Sequence, residues 1–96
     1  MEEAIKFLQR ELLNAIHEYV INNDVDFDPE LATQYIHNTG RDRLLQIMET
    51  AKRDHQEAKD ALFPPSMLKT ILSVSLKHGL VEYAKEIVEH SKIQKS

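Results

Sequence analysis

Apolar residues recur along most of the chain at three- and four-residue intervals, the spacing that places them on one face of an α-helix. In residues 3 to 22 the series is Ile5, Leu8, Leu12, Ile16 and Tyr19, with Glu2 and Glu3 at the end where a helix dipole favours negative charge. A first helix is therefore expected over 3–22. The acidic stretch "NNDVDFDPE" follows. Pro29 can occupy the first turn of a second helix, where its missing N–H costs nothing, and Asp28 then becomes the cap.

Leu31, Ala32, Tyr35 and Ile36 carry that second helix to about Thr39, and Gly40 is expected to end it in a left-handed conformation. A third helix is expected from about Asp42 to Leu62. Its first half holds Leu44, Leu45, Ile47 and Met48, whereas its second half offers only Ala51, Ala58 and Ala61, so that half is either solvated or a place of close helix approach. Pro64 and Pro65 disfavour helical geometry in the residues before them, and Pro65 can open a fourth helix running to His78. Met67, Leu68, Ile71, Leu72, Val74 and Leu76 spread around that helix, which predicts burial on most sides. Gly79 is expected to break it. A fifth helix runs from Leu80 to about Ile93 on the stripe Leu80, Tyr83, Ala84, Ile87 and Val88. The pattern predicts a single all-α domain over 1–96 of about five helices, as a small bundle or as stacked helical hairpins. Leu68, Ile71, Leu72, Leu76, Tyr83, Ala84, Ile87 and Val88 are the expected core.

The stretches "FDPELATQYI" and "FPPSMLKTIL", 36 residues apart, share Phe, a Pro two places later and an apolar pair at the end. Offset copies of this kind are a signature of stacked hairpins. The second copy extends into "SMLKTILSVSLKHGLVEYAKEIVE", which resembles a single pentatricopeptide or tetratricopeptide-type hairpin. The matching positions are Ile71 and Leu72, then Lys77 and Gly79 at the corner, then Val81, Glu82, Ala84, Glu86, Ile87 and Val88. The resemblance covers about a quarter of the chain and implies an α-solenoid-like architecture. It also places Thr70 at the position near the start of the first helix where pentatricopeptide repeats read a base, while the chain ends before the second reading position.

Composition narrows the chemistry. Lys and Arg number 12 against 16 Asp and Glu, a net charge of −4, so the chain as a whole does not attract a polyanion. The absence of cysteine excludes disulfides, thiolate nucleophiles and zinc–sulfur sites and fits a reducing compartment, with cytoplasm the expected location. The acidic N-terminus is unlike a secretory or mitochondrial leader, and no apolar run approaches the ~20 residues of a membrane span. The chain reads as soluble and unprocessed, or as a piece of something longer.

Asp24, Asp26, Asp28 and Glu30 alternate as calcium ligands do at the start of an EF-hand loop, but the sixth and twelfth positions, which need Gly and an acid, are Pro29 and Tyr35. A helix start is the simpler reading. The five histidines never pair at i, i+4, so no metal site and no cofactor are expected. Ser66, Ser73 and Ser75 lack a glycine elbow or an evident base, and no catalytic residues are assigned. Arg10 and His17 share a face of the first helix, and an Arg, six residues and a His resemble the motif of the HEPN ribonuclease family. The resemblance implies a dimer whose Arg and His converge on an RNA phosphate, although Glu11 here follows the Arg.

By elimination, the expected function is a non-enzymatic module that binds another protein, or a second copy of itself. The candidate contact residues are Lys69, Thr70, Ser73 and Lys77 on the fourth helix, with Arg41 and Arg43 nearby. RNA binding through helical repeats is the alternative, followed by a HEPN-like ribonuclease using Arg10 and His17.

Overall fold

The computed structural model describes residues 2–93 and is all-helical, with three helices in place of the expected five. Helix α1 spans Glu2–Asn23, α2 spans Pro29–Asp60 and α3 spans Pro65–Ser91. Both ends of the α1–α2 loop follow from local chemistry. Asp24 takes the left-handed conformation (φ 48°), which Asp tolerates, and Val25 N–H donates to Val20 O at 3.2 Å to close α1. Asp28 then caps α2 as expected, its carboxylate accepting from Glu30 N–H at 2.9 Å. The loop is pinned to the far end of the chain, since Asp28 N–H donates to Ser91 O and Ile93 N–H donates to Asp26 O.

Two expected helix breaks do not form. Gly40 and Gly79 lie inside α2 and α3, and neither has a positive φ. Segment 66–89 is thus one continuous helical stretch, without the hairpin corner expected at Gly79 and without a stack of hairpins. Both glycines serve close packing. A Cβ at Gly79 would stand 2.8 Å from Ile47 Cγ2 and 3.0 Å from Ile47 Cγ1, inside van der Waals contact. A Cβ at Gly40 would stand 3.3 Å from Ile36 Cγ2 and 3.7 Å from the Tyr83 hydroxyl. The alanine-rich half of α2 belongs to the same seam, because Ala51 and Ala58 are buried while Ala61 is exposed beyond the helix end.

The helices run up, down and up, with α2 and α3 as a long antiparallel hairpin and α1 laid beside the C-terminal half of α3. Tyr19 and Glu89 meet across that second pairing. The core gathers Leu8, Leu12 and Ile16 of α1, Leu44 and Ile47 of α2, and Leu80, Tyr83, Ala84, Ile87 and Val88 of α3. Four of the eight expected core residues are therefore buried. Leu68, Ile71, Leu72 and Leu76 are only half-buried, and Met67 and Val74 are exposed, so the first half of α3 is not buried on most sides.

The reason is length. At 1.5 Å per residue the 32 residues of α2 reach about 48 Å, and the 22 of α1 about 33 Å. The end of the hairpin consequently extends past α1 with no third helix to cover it. The molecule measures 54 × 26 × 17 Å with a radius of gyration of 15.1 Å. A compact chain of this length would give about 12.5 Å.

Candidate functional site

The uncovered end of the hairpin gathers four exposed large apolar side chains. Leu62 is 89% exposed, Val74 62%, Met67 47% and Phe63 42%. Phe63, Ile71 and Val74 line a shallow groove of about 640 Å³ with Ala58 as its α2 wall and Glu57, Thr70 and His78 at its polar margin. Ser75 Oγ donates to Asp54 Oδ2 at 2.7 Å and fixes one side of this groove. The chain reaches it through a strained turn. Leu62 adopts φ 66°, in the left-handed region, and Phe63 N–H donates to Ala58 O at 3.1 Å to close α2. A bulky L-residue in that region costs about 1–2 kcal/mol, and glycine would cost nothing there.

A second groove, of about 530 Å³, runs between α1 and α3. Its floor includes Leu8, Ala15, Leu76 and Leu80, its α1 margin carries Phe7, Glu11 and Glu18, and its α3 margin carries Ser73 and Lys77. The two grooves share no residue.

The six expected contact residues separate accordingly. Thr70 borders the hairpin-end groove, Ser73 and Lys77 border the α1–α3 groove, and Lys69 is exposed at neither. Arg41 is exposed on α2. Arg43 pairs with Glu86 at 2.9 Å, and its guanidinium carbon sits 5.3 Å from the centre of the Tyr83 ring. Glu86 lies 13 residues beyond Ser73, about 20 Å along α3, so Arg43 does not join the residues of the first half of that helix.

Arg43 instead belongs to a cluster that locks α2 to α3. The Tyr83 hydroxyl lies 2.6 Å from Thr39 Oγ1, which itself lies 2.7 Å from Tyr35 O. The Tyr35 ring packs 6.4 Å from that of Tyr83 and 4.3 Å from that of His90. Burial pushes the Tyr83 phenol above its ordinary value, offset in part by the Thr39 hydrogen bond and the Arg43 charge. Tyr35 is also raised, first by desolvation and then by the Glu86 carboxylate.

Arg10 and His17 are both exposed on α1, and His17 opens onto the α1–α3 groove beside Glu18. Among the described residues no three His, Asp or Glu side chains stand together as a metal-binding set, and Asp28 of the acidic stretch is engaged as the α2 cap. No helix among the described residues is long and apolar enough to cross a membrane.

Met67 and Val74 were not legible as surface residues, because the apolar spread around their helix predicts burial on most sides, and Phe63, in the turn before the prolines, carries no periodic signal either way. The available signal was the alanine-only stretch of α2 opposite them, which gives those apolar side chains little to pack against. No family model matches the chain, and no curated protein or solved structure is significantly similar to it.

Proposed function

We propose that the chain is a non-enzymatic protein-binding module, an adaptor that receives its partner at the free end of the α2–α3 hairpin. The observation that carries this reading is Leu62, a large apolar side chain that is 89% exposed and held in a left-handed turn. The folded monomer gains no burial from it and bears the strain of its backbone. Strained positions of this kind concentrate at functional sites. The adjoining groove of Phe63, Ile71 and Val74 supplies an apolar floor with a polar margin, the form that takes an amphipathic helix of another protein. The cysteine-free composition is consistent with a cytoplasmic setting.

RNA binding through the basic residues of α2 is the weaker reading. Arg43 is engaged with Glu86, and Asp42, Glu49 and Asp54 interleave with Arg41, Lys52 and Arg53 along the same helix. Their charges cancel much of the field a phosphate backbone would need.

A photo-reactive residue placed at Val74 tests the proposal in the native cell, with the same residue at exposed Lys85 as the control. The expected result is one discrete protein adduct from Val74 that Lys85 does not give. Equal labelling from both positions, or adducts with RNA alone, would contradict it.

A further inference from the structure

The groove between α1 and α3 is lined by those two helices alone, so it opens on the side of the pair away from α2. Along α1 it runs from Phe7 to Glu18, about 16 Å or three turns of helix, over a floor of Leu8, Ala15, Leu76 and Leu80. Its charges are divided between its edges. Glu11 and Glu18 stand on the α1 edge, seven residues or about 10.5 Å apart, and Lys77 stands on the α3 edge. None of the three has an ion-pair partner among the described residues. Arg10, beside Glu11 in sequence, is exposed outside the groove, and His17, neutral at pH 7, adds no charge to the α1 edge. The acidic edge belongs to a larger feature, because residues 11–40 hold six acids and no Lys or Arg.

We infer that the α1–α3 groove receives a basic amphipathic helix of another protein, with its apolar stripe on the floor and its Lys or Arg side chains along the α1 edge. A long apolar floor between two aligned helices suits side chains that recur every three and four residues, which is the stripe of a third helix. Positions seven apart on that helix return to the same line, so two basic residues at this spacing meet Glu11 and Glu18 together. Lys77 repels the same side chains from the opposite edge and so fixes which edge they take. The acid-only stretch 11–40 adds an attractive field that speeds encounter with a cationic partner. Once seated, the helix lies against α1 and α3 with α2 on their far side, and the four form a bundle. No residue of this groove belongs to the hairpin end, so the inference stands independently of binding there.

Three synthetic peptides of equal length test this by fluorescence anisotropy. One carries a leucine stripe flanked on one side by lysines seven residues apart, the second has glutamate at each lysine, and the third has the composition of the first in scrambled order. The first is expected to bind and to gain helical circular dichroism as it does, and the other two to bind at least about tenfold more weakly. A chain carrying both Glu11→Gln and Glu18→Gln should bind the first peptide about fivefold to tenfold more weakly, the worth of two exposed ion pairs. Asp42→Asn with Glu49→Gln makes the same charge change at exposed positions of α2 and should leave the affinity within about twofold. Val74→Glu, at the hairpin end, should leave it unchanged. Failure of the first peptide to bind would overturn the inference, as would equal binding of the scrambled peptide or equal losses in the two double variants. So would a response to Val74→Glu, or a chain that light scattering shows to be dimeric until Glu11→Gln and Glu18→Gln dissociate it, which would make a second copy the occupant.

Discussion

The hydroxyl of Tyr83 stands 2.6 Å from Thr39 Oγ1, joining the last third of α3 to the first third of α2 across 44 residues of sequence. Tyr83 is fully buried, so its hydroxyl needs this partner, and Thr39 is in turn anchored to Tyr35 O. Tyr83→Phe is expected to cost about 1 kcal/mol in denaturant unfolding, the net worth of one neutral hydrogen bond. The raised phenol adds a pH signature. The folded state holds the phenolic proton more tightly than the unfolded chain, so this contribution is complete below the ordinary phenol value near 10 and is lost as pH rises through the folded value. Stability of the unmodified chain should therefore fall above about pH 10, and less steeply in Tyr83→Phe. An identical alkaline decline in both would contradict this account of the cluster.

Gly79→Ala separates two explanations of the same glycine. Intrinsic propensity favours Ala over Gly by about 1 kcal/mol in the middle of a helix. Here the new methyl would meet Ile47, whose branched carbons start at the backbone and cannot swing aside. The expected outcome is a net loss of about 1–3 kcal/mol. Ile47→Ala removes the obstructing atoms, so the double variant should be more stable than the sum of the two single changes implies. Simple additivity in thermal unfolding would show that Ile47 is not what Gly79 accommodates.

Leu62→Gly should stabilise the isolated chain and weaken its binding. Glycine relieves the left-handed strain, and an 89% exposed side chain contributes little burial, so the melting temperature should rise by the equivalent of about 0.5–1 kcal/mol. The same change removes an apolar contact from the hairpin end and should reduce the adduct formed from Val74. A variant that loses both stability and adduct would mean that Leu62 serves the fold.

Much of this architecture is legible in the residues, and what is not has a common cause. The start of α1, the Asp28 cap, the prolines between α2 and α3 and the core stripe Tyr83, Ala84, Ile87 and Val88 all express local rules, and all appear where those rules put them. Gly40 and Gly79 do not end helices, because a glycine tolerates a helix interior at modest cost when a neighbouring side chain needs the space of its missing Cβ. That space is a tertiary property, invisible along the chain. The same holds for Ile71 and Leu72. Their periodicity signals burial, but burial requires a third helix opposite them, and α1 is too short to supply it. The large loss expected of a fully buried Ile or Leu changed to Ala does not apply at either. The contact residues scattered for a related reason: sharing a helix does not place residues in one groove, and Thr70 and Ser73, three residues apart, border different ones.

The proposals for the hairpin end rest on α2 and α3 being uninterrupted rods that outreach α1. Spin labels at Gln34 and Gln56, both exposed on α2, measure this directly by pulsed electron resonance. A continuous helix separates their backbone positions by 22 residues, about 33 Å. A distribution centred near that value is the expected result. A break at Gly40 that folds the two halves of α2 side by side would bring the labels to roughly 20 Å and would contradict the account.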